Sequence, residues 1–337
     1  MTVRYGVVGC GRQAPKHISG LVARGGVDIV VADIDAARAA ALGAAQGVAV
    51  AASVDALFAD PDVVAVSICT PPATHGELLR GAIAAGKHFL CEKPLTATLA
   101  EARALEAAAA AAELVAMVGY IYRFAPAFEL AARALEGAAL TGTAAALGRL
   151  SHATFRLGGP GSHGAWQHRS ETEGGAINEM LVHMVDLALW YFGPVASAEM
   201  VASDVRQPAR TIAGQHVEAD VEDWVLARLR TETGVDVLIQ ADLSTPIFLQ
   251  FAEIHGDNGS FFGSIQSEMP TFIHCDGERA GFAPGRTPYQ FGPRNLFEAE
   301  MALFLDCVTE GRKPDRCTLA DSVRLMETIE ALRSGAA

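Results

Sequence analysis

Tyr5-Gly-Val-Val-Gly9-Cys-Gly11-Arg-Gln-Ala14 joins a short apolar run to a glycine-rich turn and then to a helical pattern. A turn of this kind between a strand and a helix is typical of dinucleotide-binding proteins. Gly9 permits a tight turn, Gly11 lets the backbone approach a pyrophosphate, and Ala14 is small enough for the helix to pack on the strand. The free N–H groups at the start of the helix would then face the phosphates.

Asp33 extends this motif, because it ends the next apolar run 22 residues after Gly11. A carboxylate at this point accepts hydrogen bonds from both ribose hydroxyls and repels a 2′-phosphate, so NAD is expected in preference to NADP. Two alternatives stay open: Asp33 could cap a helix, and Arg38, one turn later, could bind a 2′-phosphate. The other residues expected to bind the cofactor are Arg12, Gln13, Ile34, Thr70, Pro71, His75, Glu92 and Lys93.

Residues 1–121 alternate apolar runs with alanine-rich helical stretches. The runs predicted as strands are Val3–Val8, Val27–Ala32, Val48–Val50, Val63–Ser67, Lys87–Leu90 and Val115–Val118. The stretches predicted as helices are Pro15–Ala23, Ala36–Gln46, Val54–Phe58, Glu77–Ala85 and Leu99–Glu113. This alternation predicts βαβ units and therefore an N-terminal Rossmann domain, a doubly wound parallel sheet with helices on both faces.

Residues 122–337 follow a different pattern. The helices expected there are Pro126–Leu135, Gly175–Phe192, Leu296–Thr309 and Leu319–Leu332, and the strands include Leu147–Arg156, Val221–Leu229, Val235–Leu243 and Leu249–His255. Turn signals such as Asp257-Asn258-Gly259 join the later strands. We therefore predict a C-terminal α/β domain with a large, mostly antiparallel open sheet, whose C-terminal helices could pack back on the first domain.

The composition of the 337 residues suits two globular domains, since 50% are hydrophobic and 19% are charged. A formal net charge of -13 argues against nucleic acid or an anionic membrane surface as a partner. No run of residues suggests a signal peptide or a membrane span. The six cysteines are scattered without a Cys-x-x-Cys pair or zinc-ligand spacing, which predicts no metal site and a reducing, cytoplasmic compartment.

Two segments at the ends of predicted strands carry candidate chemistry: Cys69-Thr-Pro-Pro-Ala-Thr-His75 and Cys91-Glu-Lys-Pro94. The prolines cannot donate to a sheet ladder, so they end the strand and open a loop toward the cofactor. Lys93, at the mouth of a parallel sheet, is poorly explained as a solvated surface charge. Its ammonium group could hydrogen-bond a substrate hydroxyl and favour an alkoxide-like state during hydride loss. For His75, contact with the cofactor and hydrogen bonds to the local backbone are equally open.

Glu179 and His183 are four residues apart in a predicted helix and therefore share one face. His183 is a candidate general base because histidine exchanges protons near neutral pH, and Glu179 could orient its ring. Taken alone, the pair also fits a core histidine bonded to a carboxylate, and Asp186 could bond His183 equally well. A metal site is not indicated, since no third ligand can be identified.

Residues 158–169 form a glycine-rich loop ahead of this helix. Trp166 offers an apolar face to a sugar ring, and four polar side chains of the loop offer hydrogen bonds. Those side chains belong to His163, Gln167, His168 and Arg169. Arg123 could add a contact to a carboxylate or a phosphate. Packing of Trp166 and solvation of the loop explain each of these residues equally well.

Together these segments resemble the glucose-fructose oxidoreductase and inositol dehydrogenase family, Gfo/Idh/MocA, over nearly the whole chain. The matching motifs are Gly-Val-Val-Gly-Cys-Gly-Arg at 6–12, Cys-Thr-Pro-Pro-Ala-Thr-His at 69–75, Glu-Lys-Pro at 92–94, Gly-Tyr-Ile-Tyr-Arg-Phe at 119–124 and Gly-Gly-Ala-Ile-Asn-Glu-Met-Leu-Val-His-Met-Val-Asp-Leu at 174–187. The resemblance implies a Rossmann domain and an α/β domain whose open sheet makes homodimers or homotetramers. It also implies NAD(P)-dependent hydride transfer between nicotinamide and a secondary alcohol or ketone of a sugar, cyclitol or related polyol.

By position, the resemblance implies that Lys93 contacts the reacting hydroxyl and that His183 is the acid/base. Glu179 stands where the family usually has Asp, and the extra methylene leaves Asn178 as a substitute contact. Leu181 replaces a common small residue and could narrow the pocket. The substrate contacts expected are Lys93, Arg123, Trp166, His168, Asn178 and His183.

Two other functions fit the same scaffold: a non-catalytic NAD-binding regulator, and a glycosidase in which NAD oxidises the sugar transiently. Retention of both Lys93 and His183 argues against the regulator, because a sensor needs no proton acceptor. Release of a leaving group without net NADH would identify the glycosidase.

Overall fold

A computed structural model of the chain describes residues 2–335, which form two compact units. The first unit consists of residues 2–124 and 294–323, and the second of residues 125–293 and 324–335. The domain division predicted between residues 121 and 122 stays a prediction.

A six-stranded parallel sheet forms the centre of the first unit. Its strands are β1 (Val3–Val8), β2 (Val27–Ala32), β3 (Ala49–Val50), β4 (Val63–Ile68), β5 (His88–Cys91) and β6 (Ala116–Val118). The helices between them are α1 (Ala14–Arg24), α2 (Ala36–Gln46), α3 (Val54–Ala59), α4 (His75–Ala84) and α5 (Leu99–Ala111). The strand order β3-β2-β1-β4-β5-β6 confirms the predicted Rossmann fold. The winding reverses between β1 and β4, which is where open α/β sheets bind ligands.

Burial and capping explain why these segments take these forms. Parallel strands covered by helices on both faces are apolar along their length, and in β1 Tyr5 and Val7 are fully buried. Side-chain caps set the helix starts: Asp35 accepts backbone N–H bonds at the start of α2, and Thr98 does so at the start of α5. Because the helices begin soon after the strands end, the loops at the carboxyl ends of the strands are short, and the candidate residues lie in these loops.

The second unit is built on a larger sheet. Its elements up to the central helix are α6 (Pro126–Ala134), α7 (Ala138–Thr141), β7 (Thr143–Ala144), β8 (Gly148–Gly158) and α8 (Val182–Phe192). Its later strands are β9 (Val195–Asp204), β10 (Ala209–Ile212), β11 (Gln215–Glu218), β12 (Trp224–Thr231), β13 (Asp236–Asp242), β14 (Leu249–Gly256), β15 (Gly259–Gly263), β16 (Thr271–Cys275) and β17 (Gly285–Tyr289). Nine of these strands form one sheet in the order β17-β16-β15-β14-β8-β13-β12-β9, with β7 beside β8. Its pairs are antiparallel except β8 with β13, so the predicted mostly antiparallel sheet is confirmed.

The two faces of this sheet differ. On one face Phe155 packs edge-on against Tyr191 and parallel to Phe192, with ring centroids 6.2 and 6.1 Å apart. On the other face the side chains of Leu238 and Phe262 are exposed or half-buried. Helix α8 therefore covers one side of the sheet, and the opposite side is open in the single chain.

The helix predicted over residues 175–192 is divided in two. A π-helical segment spans Ile177–Leu181, and α8 begins directly after it at Val182. Hydrophobic periodicity does not distinguish these two windings over so short a span. π-helical segments inside helices are frequent at functional sites, and this one contains Glu179.

Two helices end the described chain, α9 (Leu296–Glu310) and α10 (Leu319–Ser334). Within the first unit α9 packs closely on α1, because a Cβ at Gly20 would lie 2.6 Å from the carbonyl oxygen of Phe297. The edge strand β6 is also covered, since the N–H of Val118 donates to the carbonyl oxygen of Cys317 at 2.8 Å. Within residues 2–335, no helix has both the length and the apolar character that a bilayer crossing needs.

Candidate active site

The glycine-rich turn after β1 is shaped for close approach of a ligand. Gly9 has φ +89°, and a Cβ there would lie 2.6 Å from Cγ2 of Thr70 and 2.9 Å from the Cys69 backbone. Only glycine fits this position without strain. A Cβ at Gly11 would instead meet nothing within 4 Å, so that side of the turn faces open space. Helix α1 begins just beyond at Ala14, and a helix N-terminus favours a negatively charged group such as a pyrophosphate.

Asp33 is fixed beside this turn. Its Oδ2 accepts the N–H of Cys10 at 2.7 Å, and its Oδ1 accepts the N–H of Asp35 at 2.8 Å. The carboxylate is 5% exposed, and Nη1 of Arg38 lies 3.8 Å away. The cap of α2 is Asp35, so the helix-cap alternative for Asp33 does not hold. Ile34 is fully exposed next to this carboxylate.

His75, expected at the cofactor, is fully buried at the start of α4. Its Nδ1 lies 2.8 Å from the carbonyl oxygen of Pro94, and its Nε2 lies 2.9 Å from that of Thr70. Both ring nitrogens therefore face backbone carbonyl oxygens, as in the second of the two alternatives considered for this residue, and contact with the cofactor stays a prediction. His75 joins the loop after β4 to the turn after β5.

Lys93 is half-buried in that turn, directly after the buried Glu92. The Glu92 carboxylate receives two bonds: Nε2 of His17 lies 3.0 Å from Oε1, and the Lys93 N–H donates to Oε2 at 3.3 Å. Burial works to raise the pKa of Glu92, but the hydrogen bond from His17 and the charges of His17, Lys93 and His75 outweigh it and lower that pKa. Glu92 is therefore a carboxylate at neutral pH.

Arg123, proposed as an anion contact, is only 2% exposed. Its Nη1 lies 3.2 Å from Oδ2 of Asp321, and its guanidinium group lies over the ring of Tyr120. The charge of Arg123 is thus already balanced within the first unit, and an anionic substrate would compete with Asp321.

In the second unit, Glu179 lies in the π-helical segment and His183 in the first turn of α8. Both are half-buried, whereas the residues between them are buried. Glu222 holds the start of this segment, because its Oε1 accepts the N–H of Ile177 at 3.0 Å. Burial raises the pKa of Glu222. The helix that carries both candidate catalytic residues is therefore anchored at its first turn.

The glycine-rich loop reaches Glu179 through Gln167, which is 1% exposed. Its Nε2 donates to Oε2 of Glu179 at 3.2 Å, and its Oε1 accepts the N–H of His163 at 2.9 Å. Trp166, the preceding residue, is 43% exposed. The loop therefore presents an aromatic face to solvent and places an amide beside the candidate carboxylate.

His168 and Asn178, both expected to contact substrate, are engaged inside the second unit. His168 is fully buried with its Nε2 2.7 Å from the carbonyl oxygen of Gly161, and burial lowers its pKa. The amide nitrogen of Asn178 donates to Glu173 and Gly174, and its amide oxygen accepts a bond from Arg333 at 2.6 Å. A substrate acceptor could bind the amide nitrogen of Asn178 only if one of its two bonds opened.

Two family models match this chain. Residues 3–120 match the oxidoreductase family with an NAD-binding Rossmann fold, and residues 143–262 match the GFO/IDH/MocA C-terminal domain. A 1,5-anhydro-D-fructose reductase from Ensifer adhaerens is 30% identical and aligns with 99% of this chain and 96% of its own length. The chain belongs to the Gfo/Idh/MocA oxidoreductase family.

Other Gfo/Idh/MocA proteins extend this result. An inositol 2-dehydrogenase from Acidothermus cellulolyticus is 30% identical over 92% of this chain and 86% of its own. The fold matches that of a levoglucosan dehydrogenase solved with NADH and levoglucosan, with a TM-score of 0.87, 22% identity, and coverage of 100% of this chain and 97% of that one. The first unit is accordingly an NAD-binding domain, and its open turn at Gly11 fits a dinucleotide.

The motifs of the Gfo/Idh/MocA family did not draw attention to three residues that shape the candidate site. His17 lies one turn into α1, Glu300 is buried in α9, and Glu222 precedes β12. Of the three, only His17 could have been noticed in the sequence, as a histidine on the apolar face of α1. Glu222 and Glu300 shape the site only through contacts that the packing creates. Within residues 2–335 no group of three or more His, Cys, Asp or Glu side chains could hold a metal ion.

Proposed function

We propose that this protein is an NAD-dependent dehydrogenase or reductase that interconverts a secondary alcohol and a ketone on a sugar, cyclitol or related polyol. The observation that carries the proposal is that both proton-handling residues of the family pattern, Lys93 and His183, are present in a chain whose relatives act on such compounds. A regulator that only binds NAD has no use for them.

The roles of the residues follow from their chemistry. Bound at the Gly9–Gly11 turn, NAD supplies the nicotinamide carbon that accepts or returns the hydride. Lys93 donates a hydrogen bond to the reacting hydroxyl oxygen and stabilises its alkoxide-like state. His183 takes the hydroxyl proton, and Glu179 favours the protonated ring. General acid–base catalysis of this kind contributes roughly 10²–10⁴-fold.

The surroundings favour an uncharged polyol. Arg123, expected to contact substrate, already has Asp321 as its counter-ion at 3.2 Å, so a phosphate or carboxylate bound by Arg123 would compete with Asp321. Trp166 is exposed and offers a face on which the C–H side of a sugar ring can stack. Half-buried Glu179, held by Gln167 at 3.2 Å, supplies a hydrogen-bond acceptor.

We also propose that the open face of the large sheet joins copies of the chain into a homodimer or homotetramer. Leu238 is 44% exposed on that face, and the rings of Phe251, Phe262 and Phe272 stack in a row along it. A second copy of the same face would cover this apolar surface. We place the enzyme in the cytoplasm, because the cysteines at 10, 69, 91, 275, 307 and 317 are all buried as free thiols.

The test is nicotinamide reduction by the purified protein, with NAD and NADP offered separately against cyclitols, aldoses, sugar acids and nucleotide sugars. NADH formation with one group supports the proposal and names the substrate class. Lys93→Met and His183→Ala should each abolish most turnover on that substrate, and retention of wild-type rates in both would refute their roles. Release of a leaving group without net NADH would identify a glycosidase instead.

A further inference from the structure

A chain of hydrogen bonds lies beneath the turn that carries Lys93. Starting inside the first unit, the hydroxyl of Tyr5 lies 2.8 Å from Oγ of Ser67, and this Oγ lies 3.0 Å from Nδ1 of His17. The other nitrogen of His17 lies 3.0 Å from Oε1 of Glu92. Tyr5, Ser67 and His17 are all fully buried.

Counting donors and acceptors shows how this series of hydrogen bonds can be directed. In one consistent assignment Tyr5 donates to Ser67, and Ser67 donates to Nδ1 of His17. The N–H at Nε2 of His17 donates to Glu92, because a carboxylate only accepts. In this arrangement every hydroxyl hydrogen and the hydrogen on Nε2 have an acceptor. The series of hydrogen bonds thus ends in one donor, the N–H at Nε2 of His17, which points at the Glu92 carboxylate.

Glu92 connects this series of hydrogen bonds to the backbone of the next residue, Lys93. While His17 holds Oε1, Oε2 accepts the backbone N–H of Lys93 at 3.3 Å. The far side of the turn is held as well, because Nδ1 of His75 bonds the Pro94 carbonyl oxygen at 2.8 Å. The turn at Lys93 is therefore held on one side by Glu92, which His17 bonds, and on the other side by His75, which bonds Pro94.

We propose that His17 is a positioning residue for the reaction, which acts on Lys93 through Glu92. This inference rests on the proposed role of Lys93 in the function above. A purely structural role would be met by an apolar side chain in place of a buried histidine and carboxylate, since such pairs often add little to stability. The His17–Glu92 pair serves instead to keep a negative charge and a fixed backbone beside the Lys93 ammonium group.

Several charged or titratable groups surround the Glu92 carboxylate. They are Lys16 and His17 from α1, Cys69 after β4, His75 from α4, Cys91 and Lys93 beside it, and Glu300 from α9. Without the bond from His17, the burial of Glu92 is opposed by the N–H of Lys93 and by the charges of Lys93 and His75. Its pKa then rises, because the close partner that favours the charged carboxylate has been removed.

The experiment compares His17→Phe, which keeps a ring without donors, with His17→Gln, which keeps an N–H near the position of Nε2. We expect His17→Phe to lower kcat about 10²-fold, the typical cost of misplacing a catalytic group by about 1 Å, with far less change in KM. The acid limb of its kcat/KM profile should move to higher pH as Glu92 protonates. His17→Gln should recover most of kcat and the wild-type limb. His88→Gln, on a half-buried histidine of β5, is the control and should behave as wild type.

A folded His17→Phe with the wild-type kcat and pH profile would overturn the inference, and so would a His17→Gln variant no better than His17→Phe. If His17→Phe does not fold, Ser67→Ala decides, because it removes the Oγ that bonds Nδ1 of His17 and the Tyr5 hydroxyl while leaving the His17–Glu92 bond in place. We expect it to lower kcat severalfold and to shift the acid limb the same way, and a wild-type profile would overturn the inference. Lys93→Met separates the two proposals, since full activity in that variant refutes the role of Lys93 itself.

Discussion

The Asp33 carboxylate is held by two backbone N–H groups, so its charge is fixed at the place where a ribose hydroxyl is expected. We expect Asp33→Asn to lower kcat/KM for NAD about 10–100-fold, since a hydrogen bond to a charged group contributes about 1.5–3 kcal/mol. The same change should raise kcat/KM for NADP, because it removes the carboxylate charge that repels a 2′-phosphate and that Arg38 faces at 3.8 Å. Steady-state kinetics with both cofactors measure this.

The matched control for this prediction is Asp35→Asn. Asparagine still caps α2, and the variant removes a neighbouring charge that Arg38 also faces at 3.7 Å. It should keep the preference for NAD. An equal loss of preference in both variants would contradict a specific role for Asp33.

Glu300 is a buried acid whose two carboxyl oxygens have no hydrogen-bond partner among the described residues. Burial, together with the charge of Glu92, raises its pKa well above the usual 4.5. The folded chain therefore holds this proton more tightly than the unfolded chain does. Stability from this group is complete below the unfolded pKa and falls as pH rises above it.

Glu300→Gln removes that ionisation without changing the size of the side chain. We expect the variant to have a higher Tm than the wild type at pH 7–8, and the gain should shrink toward zero as pH falls to about 4.5, the ordinary pKa of Glu. Thermal unfolding at several pH values measures it. The control is Glu298→Gln, on an exposed residue of the same helix, which should change Tm little at any pH. A gain in Tm for Glu300→Gln that does not depend on pH would contradict a raised pKa for Glu300.

For single residues, the sequence indicates which side chains have suitable chemistry, but it does not show which way those side chains point. Lys93 stands out because few other roles suit its neighbourhood, whereas His183, which also fits a core histidine, takes its expected role from the family resemblance. His75, His168 and Asn178 carry equally suitable groups, yet tertiary contacts commit them to backbone oxygens or to Arg333. Which way a polar side chain turns depends on partners far along the chain, and spacing does not encode them.

Among the elements, the turn from β1 into α1 contains two glycines with different tasks. Gly9 has a positive φ and lies against the Cys69 backbone, whereas Gly11 borders open space. We expect Gly9→Ala to destabilise the fold by about 1–3 kcal/mol, the usual cost of a strained backbone position. Gly11→Ala should leave Tm nearly unchanged and weaken NAD binding, because the new methyl group occupies space meant for the pyrophosphate.

Thermal unfolding and NAD titration of both variants separate these tasks. Gly277→Ala is the control, because a Cβ there also meets nothing within 4 Å but lies in the second unit. It should change neither quantity. If Gly11→Ala binds NAD as tightly as the wild type, the open side of the turn does not face the cofactor.

The elements themselves follow from the sequence where the pattern is long and regular. The alternation in residues 1–121 gives every strand of the parallel sheet, because apolar runs between helical stretches have one common solution. Two features of the second unit could not be foreseen. Residues 177–181 wind as a π-helix, and β8 pairs in parallel with β13, a register set by strands that lie far apart in the sequence.

For the whole molecule, the open sheet face makes a specific prediction about assembly. Leu238→Glu places a charge on that face, and a charge buried in an apolar contact without a partner is costly. We expect light scattering to give a multiple of the single-chain mass for the wild type and a smaller assembly for this variant. Leu140→Glu, on a leucine of α7 that is 88% exposed, should assemble like the wild type. A wild-type protein that is monomeric would contradict the proposed interface.

The return of residues 294–323 to the first unit has a consequence for synthesis. A ribosome makes the nucleotide motif first and the segment that covers α1 and β6 last, with the entire large sheet in between. A nascent chain that has emerged only as far as Phe124 carries every NAD-binding motif on a domain still lacking Asp321, the partner of Arg123. Exposed apolar surface at that stage invites aggregation. A fragment cut at residue 124 for a fusion or a biosensor would retain that defect permanently.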